Sequence, residues 1–136
     1  MKKKFILDCV EEFDFCVLAI NSHTKAYKLC WNLNKHMNMN FEKKKDLVVN
    51  ESMWFANYTS YSEDSEYRLI VNRSKNGYLV PSHKSVNFFL LIKNNYWEQE
   101  KKQFKSKLSA LKDVLLVYDC KLNNQMDRFI FNDTKN

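Results

Sequence analysis

Glycine and proline occur once each in this 136-residue chain, at Gly77 and Pro81, and that scarcity limits the fold more than any other feature. A backbone that wraps closely around a phosphate, or turns through positive φ, depends on glycine. Dinucleotide-binding and P-loop sites are therefore excluded. The turns must use Asn, Asp and Ser, whose short side chains tolerate the left-handed region and bond their own backbone. Asn38, Asn40, Asn94-Asn95 and Asn123-Asn124 stand ready for that purpose.

Between those turns the apolar pattern alternates between the two periods of regular structure. Lys4 to Asp8 and Phe13 to Ile20 read as strands joined through Glu11-Glu12 into a hairpin. In the second, Phe13, Phe15, Val17 and Ala19 oppose Cys16, Leu18 and Ile20, so both faces are expected to be buried. Asn21 or Ser22 is placed to cap a helix running to about Met37, with Ala26, Cys30, Leu33 and Met37 on its core stripe and Tyr27 and Trp31 alongside. Leu47-Val48-Val49 predicts a short strand behind the charged Glu42 to Asp46. Ser52 to Tyr61 and Tyr67 to Asn72 predict a hairpin across the polar Ser62 to Ser65.

Asn76-Gly77 has the chemistry of a tight turn. Val86 to Lys93, with Phe88 to Ile92 continuously apolar, predicts a central strand. A second helix is expected over about Glu98 to Lys112, with Phe104, Leu108 and Leu111 inward, acidic residues first and lysines last. Val114 to Tyr118 predicts the last strand, and Phe129-Ile130-Phe131 an apolar patch docking the tail. The expected fold is α+β: a largely antiparallel sheet with two helices packed on it. Hydrophobic residues at 45% suffice for one core. Residues 1–136 are thus expected to form a single domain, with a peripheral tail from about residue 123.

Chemistry is harder to find. Cys9, Cys16, Cys30 and Cys120 lack CxxC spacing and sit in apolar patterns, which points to reduced, buried thiols. His23, His36 and His83 are remote from them, so no metal and no cofactor are expected. The start, Met1 to Asp8, resembles an export signal, but Asp8, Glu11 and Glu12 break the apolar run. A cytoplasmic protein without a membrane segment is expected. No nucleophile, base and orienting group stand at diagnostic spacing, so neither an enzyme nor a small-molecule substrate is expected.

At Leu79-Val80-Pro81-Ser82-His83-Lys84-Ser85-Val86-Asn87-Phe88-Phe89-Leu90 the chain resembles the signature of the IPExxxDY family, small bacterial proteins of unassigned function. The opening Lys4-Phe5-Ile6-Leu7-Asp8, the stretch Ala19-Ile20-Asn21-Ser22 and the helix from Tyr27 through Leu33 to His36 extend the likeness over most of the first 95 residues. Val80 stands for the Ile, Ser82 for the Glu, Asn87 for the Asp and Phe88 for the Tyr. A carboxylate used in catalysis or metal binding cannot become Ser or Asn and keep its chemistry. The motif is therefore expected to be structural: Pro81 fixing a turn, Ser82 bonding nearby backbone and Phe88 anchoring the central strand.

The net charge of +6 is carried in clusters. Lys2-Lys3-Lys4, Lys43-Lys44-Lys45, Arg73 with Lys75, and the helix-borne Lys101, Lys102, Lys105 and Lys112 suit phosphate contacts, with Tyr96 and Trp97 at a strand-to-helix junction as candidate stacking residues. The expected function is noncatalytic RNA binding by a ribosome-associated or structural ribosomal protein, whose partners would be rRNA and ribosomal proteins. The alternative is a protein-interaction module or homodimer that uses an exposed strand edge or the aromatic surface as its interface.

Overall fold

The computed structural model describes residues 15–121. The expected strand at Lys4 to Asp8, the Lys2-Lys3-Lys4 cluster, Cys9 and the docking patch at Phe129 to Phe131 lie outside them. Within them the α+β expectation holds. The elements are β1 (Cys16–Ser22), α1 (Ala26–His36), β2 (Glu42–Asn50), β3 (Met53–Tyr61), β4 (Ser65–Val71), the two-residue strands β5 (Arg73–Ser74) and β6 (Gly77–Tyr78), a 3-10 turn at Pro81–His83, β7 (Phe88–Asn94), α2 (Trp97–Ser109) and β8 (Val114–Asp119).

The main sheet has the order β2-β3-β4-β7-β1-β8, and every neighbouring pair in it is antiparallel. Strand β7 sits inside the sheet, with Phe88 opposite both Ile20 and Val71. Its run Phe88 to Ile92 is buried throughout, because a strand covered on both faces has no polar side to present. Both edges of β1 are occupied, by β7 and by β8.

The period-2 alternation of β1 divides the core in two. Leu18 and Ile20 join Leu69, Leu90 and Ile92 beneath Leu29, Cys30 and Leu33 of α1 and Trp97 and Leu108 of α2. Both helices therefore cover one face. Val17 and Ala19 point the other way, against Phe55, Ile70, Phe89 and Leu91, and among the described residues no helix covers them there. That face is closed by the connection from β4 to β7, which lays Leu79, Val80 and Val86 on it.

A largely irregular connection over a core must find partners for its backbone, and here one side chain supplies three of them. Asn72 is fully buried. Its Nδ2 donates to the carbonyls of His83 and Val86, both at 2.9 Å, and its Oδ1 accepts from the Val80 amide at 2.9 Å. Its own carbonyl accepts from the Leu79 amide at 2.7 Å, while its amide donates to the Asn87 carbonyl at 3.0 Å. Pro81 opens the 3-10 turn, as its fixed φ suits. Ser82 Oγ lies 3.0 Å from His83 Nδ1, and Asn87 Oδ1 accepts from the Ser22 amide at 2.8 Å.

Four local expectations are corrected. Neither Asn21 nor Ser22 caps α1: the helix begins at Ala26 after Lys25, because Ser22 remains in β1 and its hydroxyl donates to the Asp113 carbonyl at 2.5 Å. Helix α2 stops at Ser109, so Lys112 lies beyond it, in the turn that starts β8. Strand β2 takes in the whole run Glu42 to Asn50, since an edge strand pairs on one side only and tolerates charge; its register with β3 is broken between Lys44 and Leu47 and again before Asn50. The tight turn is made by Lys75-Asn76 rather than Asn76-Gly77. Gly77 has no positive φ, and a Cβ there would meet one close neighbour, the flexible Met53 side chain, at 3.0 Å from Sδ.

Candidate nucleic-acid interface

Among the described residues the expected basic clusters do not converge on one surface. Lys43, Lys44 and Lys45 line the β2 edge, where Lys43 pairs with Asp46 at 2.7 Å and Lys44 with Glu42 at 3.6 Å. Arg73 and Lys75 belong to the β5–β6 hairpin, in the connection that covers the helix-free face, and Arg73 lies over the Tyr78 ring at 5.9 Å. On α2, Lys101 pairs with Glu98 at 3.0 Å and Lys105 with Asp119 at 2.7 Å. The Lys101 ammonium is held above its usual range first by its hydrogen bond to Glu98. Beside it the Cys16 thiol is also raised, by burial first and then by the Glu98 and Asp119 carboxylates. This end of α2 is therefore electrostatically mixed, and a phosphate gains little from lysines already answered by carboxylates.

The two aromatic candidates separate. Tyr96 precedes α2 and is half exposed. Trp97 is corrected: at 6% exposure it is a core residue, set edge-on against Phe104 with ring centres 5.4 Å apart. Phe104 in turn stacks on Tyr67 at 5.3 Å, so Trp97 is committed to the contact between α2 and the sheet and offers no face to a base.

Positive charge gathers elsewhere, where α1 approaches the turn between α2 and β8. Two adjoining clefts open there, of about 450 and 580 Å³. His23, Thr24, Lys25, Tyr27 and Leu115 line the first, and Asn32, His36, Lys107, Ala110 and Leu111 the second. Lys28, Lys112 and Asp113 border both. Asp113 is the one carboxylate in either lining, and its Oδ2 accepts from Asn32 Nδ2 at 3.2 Å. Among the described residues Lys25, Lys28, Lys107 and Lys112 make no ion pair.

The chain folds this way locally because Ser22 fastens the end of β1 to Asp113 across 91 residues, while the same hydroxyl accepts from the Thr24 amide at 3.2 Å. That pin holds the first turn of α1 against the turn where α2 ends. Lys112 is the one residue of the expected set that the clefts include. Lys25 and Lys28 were readable only as an i, i+3 pair on one helix face. Nothing local marks Lys107 and Lys112 as their neighbours.

Cysteine chemistry is quiet among the described residues. Cys16 and Cys30 are free thiols, and burial pushes the Cys30 thiol up to about 12. Cys16, expected to be buried, is exposed at the sheet margin because it falls on the first residue of β1. Among the described residues no group of acidic, His and Cys side chains is placed to hold a metal ion, and no helix is long and apolar enough to cross a membrane.

Among the described residues, an antiparallel α+β fold carries a basic surface at these clefts. No protein-family model matches the chain, and no curated protein matches it.

Proposed function

We propose that this chain is a noncatalytic, cytoplasmic RNA-binding protein that holds phosphate groups in the paired clefts between α1 and the α2–β8 turn. The observation that supports the reading is the convergence of Lys25, Lys28, Lys107 and Lys112 around a single carboxylate that already accepts a hydrogen bond from Asn32. Uncompensated ammonium groups gathered in this way attract a polyanion and release its counterions on contact. The linings pair no nucleophile with a base, which favours binding over catalysis.

Fluorescence anisotropy of labelled RNA, read as a function of salt, tests the proposal. Replacing Lys25, Lys28 and Lys107 by Glu should weaken binding and flatten the plot of log affinity against log salt by roughly 2, at about 0.7 for each lost phosphate contact on a single strand. An unchanged slope would refute the assignment. Ribosomal RNA is the first natural target, and sucrose-gradient sedimentation of a lysate at low salt reads it directly: free migration would reject it.

A second reading, docking of another protein, is favoured by strand β8. Leu115 and Leu116 are exposed on this edge, and Val114 to Tyr118 contains no charge. A light-scattering mass near twice 16.4 kDa, abolished by Leu115→Lys, would support it.

A further inference from the structure

Resting on the RNA reading above, we infer that the clefts take a single strand, whose bases stack on Tyr27 and Trp31. Large aromatic side chains belong in the core of a small domain, and this one places Trp97 and Phe104 there. Tyr27 and Trp31 break that rule together, with 65% and 57% of their surfaces exposed. They stand four residues apart on α1, on one face and about 6 Å apart along the axis.

The neighbouring row of α1, one residue further on, is Lys28, Asn32 and His36, and these line the basic cleft. A third row, Leu29, Cys30 and Leu33, is buried against the sheet. The helix thus sets a row of ring faces beside a row of polar and cationic groups, and Tyr27 itself borders the first cleft. Lys35 Nζ sits 4.7 Å from the Trp31 ring centre, so a cation already uses that ring face.

A duplex keeps its bases stacked on each other and offers no free base face. A single strand offers both phosphates and free base faces, and only it satisfies both rows at once. The stacking is indifferent to base identity, because every base has a π face.

Three probes separate the outcomes: a 12-nucleotide uridine-rich single strand, a duplex RNA of equal length, and inorganic polyphosphate. The single strand should bind more tightly than the duplex and quench tryptophan fluorescence. Tyr27→Ala and Trp31→Ala should each lower single-strand affinity about tenfold, leave polyphosphate binding unchanged, and be rescued by Phe at the same position. Lys25→Glu with Lys28→Glu should weaken all three. Trp54→Ala, at an equally exposed tryptophan away from the clefts, should change nothing. If the alanine variants bind the single strand as the wild type does, or lose polyphosphate equally, stacking is overturned while phosphate binding stands. If none of the probes binds, the RNA reading itself falls. Circular dichroism of each variant guards against misfolding, which exposed positions should not cause.

Discussion

Replacing Asn72 by Ala should be among the most damaging single substitutions in the described residues, although it removes no apolar surface. The side chain makes three hydrogen bonds to the backbone of the connection, at Val80, His83 and Val86. Alanine leaves the Val80 amide and the Val86 carbonyl in a buried setting without these partners, whereas the His83 carbonyl still accepts from the Val86 amide at 3.1 Å. Each orphaned group costs about 1 kcal/mol or somewhat more, so the sum is about 2–3 kcal/mol. The whole domain is expected to be stable by roughly 5–15 kcal/mol. The loss should lower the melting temperature by about 7–12 °C. Asn72→Asp keeps the volume and the acceptor for Val80 but turns an oxygen toward two carbonyls, and should be at least as harmful. Urea titrations followed by circular dichroism and tryptophan fluorescence supply the free energies. Hydrogen exchange should show the Leu79 and Val80 amides losing protection first. A loss below about 1 kcal/mol for Asn72→Ala, with an unchanged m-value, would refute the claim that this residue holds the helix-free face closed.

Other substitutions test separate parts of the account. Ser22→Ala should cost about 1–2 kcal/mol, because it strips a buried hydroxyl from the Asp113 carbonyl and the Thr24 amide; chemical denaturation measures it. Asn34→Ala should cost a similar amount, since Asn34 accepts from the Phe41 amide at 2.7 Å and donates to its carbonyl at 3.2 Å. Gly77→Ala should be nearly neutral, within about 0.5 kcal/mol, because φ is not positive there and the one close neighbour is the flexible end of Met53; a large loss would mean that the hairpin cannot yield. The Cys30 thiol moves from an ordinary 9.0 to about 12 in the fold, so its neutral form is favoured there. That stabilisation is complete below pH 9 and should decline between pH 9 and 12, by up to about 1.4 kcal/mol per pH unit. Cys30→Ala should flatten this decline in denaturation curves, and thiol reagents should reach Cys30 only on unfolding.

Strand positions were legible where burial is two-sided or strictly alternating. Phe88 to Ile92 announces the sheet interior, and Leu18 with Ile20 against Val17 with Ala19 announces two covered faces. The helix stripe of Ala26, Cys30 and Leu33 was equally plain, and Leu29 completes it. Boundaries were less so, because a capping residue has competing uses: Ser22 has the right chemistry to start a helix, and a carbonyl 91 positions away claims its hydroxyl. The cover on the second face could not be foreseen, as Leu79, Val80 and Val86 show no period and Asn72 resembles any polar residue at a strand end. Charge was the least legible property. Lysine runs are conspicuous in one dimension, yet Lys43, Lys44, Lys101 and Lys105 each meet a carboxylate nearby. The unpaired set joins Lys25 and Lys28 to Lys107 and Lys112 only through tertiary contact.

The two margins of the sheet differ in a way that bears on assembly. At the β2 margin, lysines and an interrupted register discourage any further strand, whereas the β8 margin runs through uncharged Val114 to Tyr118. Among the described residues this is the one adhesive border, and a pair joined through it shows only its guarded borders to the outside. Association through β8 would therefore terminate at two copies instead of propagating into a fibre.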